Sequence, residues 1–166
     1  MTREIIIFVL VSATLFLFPG CERMETKEND YSNYDSITKS GEPGNWIPTF
    51  IPRSAVKIKE RHKIDTGAVA LIFNFRSHRD LSLDGVCEEV KPGDVLLPNM
   101  GFLNLSWWPA SLYRDISNIE YPSQYKFFCC ERQSFLAVRQ IDDYIQAYYW
   151  RISLTDENAW GCKQGQ

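Results

Sequence analysis

The chain has 166 residues, of which 45% are hydrophobic and 14% aromatic. That is enough for one domain with a buried core plus appendages, and it excludes a fully disordered protein. The net charge of −3 comes from acids and bases mixed along the sequence, so no basic face is set up to draw in DNA, RNA or an anionic lipid surface, and nucleic-acid binding is not expected.

Ile5 to Phe18, "IIIFVLVSATLFLF", carries no charge and follows Arg3 and the amino terminus. A spanning helix needs ~20 apolar residues to cross ~30 Å of hydrocarbon, so this shorter run suits the core of a signal peptide. Pro19-Gly20 then breaks the helix and places a small residue before Cys21, where a peptidase at the membrane surface needs an extended chain. Leu17-Phe18-Pro19-Gly20-Cys21 resembles the lipobox of bacterial lipoproteins. The resemblance implies that residues 1–20 are a cleaved signal peptide and that Cys21 is the site of lipid attachment. The protein would then be anchored in the cell envelope, facing the periplasm. Glu22, where such proteins use Asp to signal inner-membrane retention, directs the expectation to the outer membrane. The alternatives are a secretory signal cut near Gly20, which leaves Cys21 for a disulfide, and an uncleaved anchor.

Residues 22–45, "ERMETKENDYSNYDSITKSGEPGN", are charged and polar with almost no aliphatic side chains. Such a stretch buries too little apolar area to offset its ordering entropy. Residues 21–45 are therefore expected to form a flexible tether with a reach of ~25–30 Å, and residues 46–166 the folded domain. Pro48 and Pro52 favour an extended lead-in. From Ala55 to Ile64, Val56, Ile58 and Ile64 alternate with Lys57, Lys59 and Arg61, the period of a half-buried strand. Asp65-Thr66-Gly67 supplies turn chemistry, and from Ala68 to Arg76 the residues Val69, Leu71, Phe73 and Phe75 share one face. The two strands form a hairpin.

A short helix is expected around Asp84 to Val90, stopped by Pro92-Gly93, and one helical turn from Ala110 to Tyr113 after Pro109. Tyr125–Glu131, Phe135–Ile141 and Ile145–Leu154 are rich in aromatic and β-branched residues, with short polar joints that suit an antiparallel meander. The expected fold is α+β, mainly antiparallel β: a single sheet of about five strands, hairpin plus three-strand meander, with one or two short helices.

Five tryptophans stand out. Trp46, Trp107 and Trp150 suit a core, whereas the adjacent Trp107 and Trp108 in an irregular segment cannot easily both point inward. Trp107, Trp108 and Tyr113 are accordingly the candidate partner-binding residues. Export places Cys87, Cys129, Cys130 and Cys162 where disulfides form. Cys129 and Cys130 face opposite sides of a strand, so Cys87 is expected to pair with one of them, and Cys162, if it pairs, to tie down the tail. No C-x-x-C spacing is present and His62 and His78 stand apart, so no metal and no cofactor are expected. His62 shares the parity of Val56 and Ile58 and reads as a satisfied sheet residue. Glu88-Glu89, Glu131 and Asp142-Asp143 could serve a glycosidase only across a cleft, and G-x-S-x-G, H-E-x-x-H and Gly-rich phosphate loops are missing. No catalytic residue is assigned and an enzyme is not expected.

"WIPTFIPRSAVKIKERHKIDT" (Trp46 to Thr66), "SWWPASL" and "QIDDYIQAYYW" together resemble a loose group of small bacterial lipoproteins. In these a proline-punctuated lead-in precedes a hairpin, a W-P-x-x-L segment follows, and a Y-Y-W strand closes the chain. Some are suspected of being immunity proteins against secreted toxins. The resemblance and the lack of a catalytic motif imply a membrane-anchored periplasmic binding module whose partner is an unidentified protein, such as an envelope-directed toxin. The alternative is an accessory envelope lipoprotein contacting peptidoglycan or another envelope assembly. If Cys21 carries lipid, Cys21→Ala expressed with radiolabelled palmitate should yield an unlabelled chain; a labelled, membrane-bound variant would refute the assignment.

Overall fold

The structure, a computed structural model, describes residues 26–41, 46–99, 101, 103–114, 122–130 and 134–152. Its elements are β1 (Thr26–Asn33), α1 (Tyr34–Ser40), β2 (Val56–Lys63), β3 (Val69–Phe75), β4 (Cys87–Val90), β5 (Lys126–Cys130), β6 (Ser134–Ile141) and β7 (Tyr144–Arg151). Single 3-10 turns form at His78–Asp80, Pro92–Asp94 and Ala110–Leu112. All strand pairs are antiparallel, in one sheet of order β1-β2-β3-β7-β6-β5-β4. The expected hairpin is β2–β3, closed through Gly67 at φ 70°, and the expected meander is β5–β6–β7.

The sheet has seven strands, not about five. The first addition is β1, which lies inside the segment expected to be a tether, so regular structure is present before Trp46. Tyr31 is its one buried side chain, which is why hydrophobic period gave no sign of it. What holds β1 is the backbone ladder to β2, from Thr26 opposite Lys63 to Asn33 opposite Val56. The helix α1 follows at once, with Asn33 as its N-cap, the side chain accepting from Ser36 N at 3.0 Å, and Gly41 at φ 69° as its C-cap. The second addition is β4. Where a helix was expected over Asp84 to Val90, the chain makes a turn with Gly85 at φ 73° and then a four-residue edge strand. Cys87 stands opposite Cys130 in the β4–β5 register, and the two form a disulfide with Cα atoms 4.0 Å apart. A covalent clamp compensates for so short a ladder.

Both faces of the sheet are covered by the chain's own connections, so β3 and β7 are buried on nearly every residue instead of alternating. One face carries Ile58, Val69, Leu71, Phe73, Phe75, Leu136, Val138 and Tyr149 under Ile37, Phe50, Ile51 and Ala55, with Leu81, Leu83 and Val86 packed against them. The other carries Ala70, Phe127, Phe135, Ala137, Tyr148 and Trp150 under Val95, Leu97, Leu103, Leu105, Trp108 and Leu112.

Trp108 is 5% exposed, edge-on to Tyr148 and Trp150 at 5.5 and 5.9 Å between ring centroids, and its indole N–H donates to Leu112 O. Its neighbour Trp107 is half-buried and its indole N–H donates to Glu28 Oε1 at 3.0 Å. Trp108→Ala should cost about 3–5 kcal/mol in denaturant unfolding, as for a buried tryptophan. Trp107→Ala removes one hydrogen bond and a half-buried ring packed on the same cluster, and should cost less, about 2 kcal/mol. Equal costs would show that the two indoles are packed alike.

Candidate functional site

The site begins with one extra residue in β2. His62 pairs with Val69 and the ladder holds to Lys59 opposite Ile72, but Val56 then pairs with Asn74, so a β-bulge lies between Val56 and Lys59. Lys57 takes φ 53° there, a left-handed conformation rare for a residue with a Cβ. The extra residue changes the face to which the strand start points and leaves Val56 42% exposed although Ile58, of the same parity, is buried. A cleft of about 480 Å³ opens beside it, lined by Ser54, Val56, Lys57, Asn74, Phe75, Arg76 and Tyr144. Arg76 and Tyr144 stand one residue beyond the last β3–β7 pair, Phe75 with Ile145.

A cross-strand chain of hydrogen bonds fixes which way the Asn74 amide faces. Arg139 has only donors; its Nε and Nη2 reach Gln146 Oε1 at 3.2 and 2.7 Å. The Tyr148 hydroxyl donates to the same oxygen at 2.5 Å. The Gln146 amide nitrogen must therefore turn the other way, and it donates to Asn74 Oδ1 at 3.2 Å. That leaves the N–H2 end of Asn74 as the group for the cleft. Arg139 is braced over the rings of Tyr125 and Tyr148, 5.3 and 5.7 Å from their centroids. Burial pushes the Tyr148 phenol up to about 12, against a smaller downward pull from the Arg139 charge, so it remains a donor.

The cleft is cationic. Lys57 and Arg76 are exposed and neither has an ion-pair partner among the described residues. No carboxylate lines it: Asp80 accepts from Ser54 Oγ at 2.7 Å, and Asp142 and Asp143 occupy the β6–β7 turn outside the lining.

A second polar cluster lies at the opposite end of β2 and is sealed. Glu60 and His62 are each 1% exposed, with His62 Nδ1 2.6 Å from Glu60 Oε1. Asn29 Nδ2 donates to Glu60 Oε2 at 2.8 Å, and Trp46 stacks on the imidazole at 4.1 Å between centroids. The Arg151 guanidinium sits 5.8 Å from the Trp46 ring, and its Nε donates to Gly67 O at 2.8 Å. Buried polar groups satisfied in this way hold the Trp46 lead-in against the sheet, and their burial keeps solutes from the imidazole. His62 is thus the satisfied sheet residue its parity suggested.

The structure separates the residues singled out from sequence. Trp108 is core, which takes it off any platform. Trp107 and Tyr113 are half-buried, and burial raises the Tyr113 phenol above its usual range. Arg61 Nη1 donates to the carbonyls of Leu103 and Asn104 at 2.6 and 2.8 Å, steadying two successive residues at φ 52° and 46° just before the Trp107 loop. Cys87 is joined to Cys130, and Cys129, on the other face, is also disulfide-bonded. Cys21 and Cys162 lie outside the described residues, as does Glu131. Among the described residues no three His, Cys, Asp or Glu side chains converge on a metal position. The cleft residues Val56, Lys57, Asn74, Arg76 and Tyr144 were not singled out from sequence, because a bulge interrupts pairing without interrupting the hydrophobic pattern.

A family model described as the YbbD head domain matches residues 25–74. Over that segment, which holds β1, α1, β2 and nearly all of β3, the chain is similar to that family; β4 to β7 lie beyond the match. No curated protein and no solved structure matches the chain. The cleft straddles the boundary: Ser54, Val56, Lys57 and Asn74 fall inside the matched segment, and Phe75, Arg76 and Tyr144 outside it.

Alkaline stability tests the hydrogen-bond chain. The folded state holds the Tyr148 phenol at about 12 against an ordinary 10.0. Its contribution to stability is therefore complete below pH 10 and is lost as pH rises through about 12, since the unfolded chain ionises first. Tyr148→Phe should show a shallower loss of stability than the native protein across that window. Identical slopes would place the phenol in water.

Proposed function

We propose that the protein is a lipid-anchored binding module of the bacterial envelope, held on the periplasmic side by Cys21 and docking a partner protein at the β2 bulge cleft. Its role would be that of an immunity protein or inhibitor acting on an envelope-directed toxin. The apolar run before Cys21 supports the location, with the outer membrane favoured by Glu22. The resemblance of its proline-punctuated lead-in, W-P-x-x-L segment and Y-Y-W strand to small lipoproteins supports the role.

The observation that carries the binding reading is the cleft. There an exposed aliphatic side chain, Val56, meets two cations, Lys57 and Arg76, that no described carboxylate neutralises. The sheet edges are less suited to a partner strand. β1 is charged along its length through Lys27, Glu28 and Asp30, and β4 has four residues with exposed Glu88 and Glu89, both features that discourage edge pairing.

Affinity capture from envelope extracts with the full-length protein should recover a stoichiometric partner, and the double charge reversal K57E/R76E should lose it without changing the melting temperature. Co-expression of that partner, exported alone, should be toxic and be rescued by the native chain but not by the variant. Retention of the partner by K57E/R76E would remove the cleft from the interface.

A further inference from the structure

Resting on the cleft as a protein-binding site, we propose that what it recognises is a carboxylate: an Asp or Glu side chain on an exposed segment of the partner protein. Apart from Ser54, whose hydroxyl donates to Asp80, the polar groups lining the cleft can donate. The Lys57 ammonium and Arg76 guanidinium are fixed cations, and the Tyr144 hydroxyl can donate. The Asn74 amide is the informative member. An amide in isolation offers a donor or an acceptor equally well, but here Arg139 and Tyr148 take the Gln146 oxygen and Gln146 N–H takes the Asn74 oxygen. Asn74 is left to present hydrogens. Two cations and an oriented N–H2 with no lining carboxylate complement an acceptor-only anion, and charge-assisted hydrogen bonds to it are the strong kind.

A peptide suits this better than a glycan. Val56 offers an aliphatic contact beside the cations, and of the two lining aromatics Phe75 is buried to 1% and Tyr144 is half-buried, so a sugar would find only one partly covered ring to stack on. The positions Lys57, Asn74 and Arg76 therefore read the acid, and Val56 takes an apolar neighbour in the partner's segment.

The test is titration of the full-length protein, in detergent micelles at low ionic strength, with three probes. These are a capped peptide alternating Leu and Glu, its counterpart with Gln for Glu, and a soluble muropeptide. The Glu peptide should bind and shift the Asn74 side-chain amide resonance, and the Gln peptide should bind about tenfold or more weakly, the loss expected when a hydrogen bond to a charged group is replaced by a neutral one. Asn74→Asp keeps an oxygen to accept from Gln146 but removes the donor, so it should lose Glu-peptide binding while melting as the native protein does. Should that variant melt early, Lys57→Gln and Arg76→Gln, at exposed positions, should each weaken Glu-peptide binding alone.

Equal binding of Glu and Gln peptides, no binding of the Glu peptide, or full binding by the substituted proteins would overturn the carboxylate assignment. If the native protein still captured a partner that K57E/R76E loses, the cleft would remain a protein site of other chemistry. A muropeptide that shifts Asn74 where the Glu peptide does not would overturn the protein partner itself.

Discussion

The antiparallel pairing of β3 with β7, from Val69 opposite Arg151 to Phe75 opposite Ile145, is the constraint on which the rest of the domain depends. It joins an N-terminal meander, β1 to β3, to a C-terminal one, β4 to β7. Without it β3 would be an edge presenting Val69, Leu71, Phe73 and Phe75 beside open backbone groups, the combination that leads strands to aggregate. The same ladder sets the functional geometry. It places Asn74 against Gln146, so that the hydrogen-bond chain from Arg139 can reach the cleft, and it ends where Arg76 and Tyr144 form the cleft's rim. The similarity to the YbbD head domain stops within this strand, so the matched segment carries only one partner of the ladder.

Two kinds of polar site result from how the connections cover the sheet. Where the Trp46 lead-in lies across β2, Glu60 and His62 are enclosed with their partners, and the groups serve packing. Where the bulge turns Val56 and Lys57 outward, the covering stops and charge stays exposed. A buried ion pair or hydrogen-bonded imidazole contributes little net stability once desolvation is counted, but it fixes where the lead-in sits. An exposed cation in an open groove costs nearly nothing in the free protein and is available to a ligand.

The strands that bury apolar side chains were legible in the sequence because β-branched and aromatic runs between turn residues have few other solutions: β2, β3, β5, β6 and β7 follow from Ile58, the Val69 to Phe75 alternation, and the Phe135 and Tyr148 runs. The polar β1 was not, since backbone pairing rather than side-chain burial secures it. Its helix could have been found from Asn33 and Gly41, the cap residues at either end of α1. In β4, Glu88 and Glu89 mask a strand that is held by the Cys87–Cys130 bond. Of the site, the sequence suggested that the adjacent tryptophans could not both point inward; Trp108 is buried, but Trp107 is half-buried against the same cluster, with the two rings 5.9 Å apart. The bulge has no compositional mark: Val56, Ile58 and His62 keep perfect parity, and only the register against β3 shows that Val56 faces elsewhere.

Site-specific photocrosslinking in living cells tests the central claim, that partners meet this protein at the bulge, more directly than any other measurement. A photoreactive residue at position 57 should give one discrete adduct with a partner protein, and the same residue at position 88 on the β4 edge should give none. An adduct from position 88 with none from position 57 would move the interface to the sheet edge and contradict the cleft.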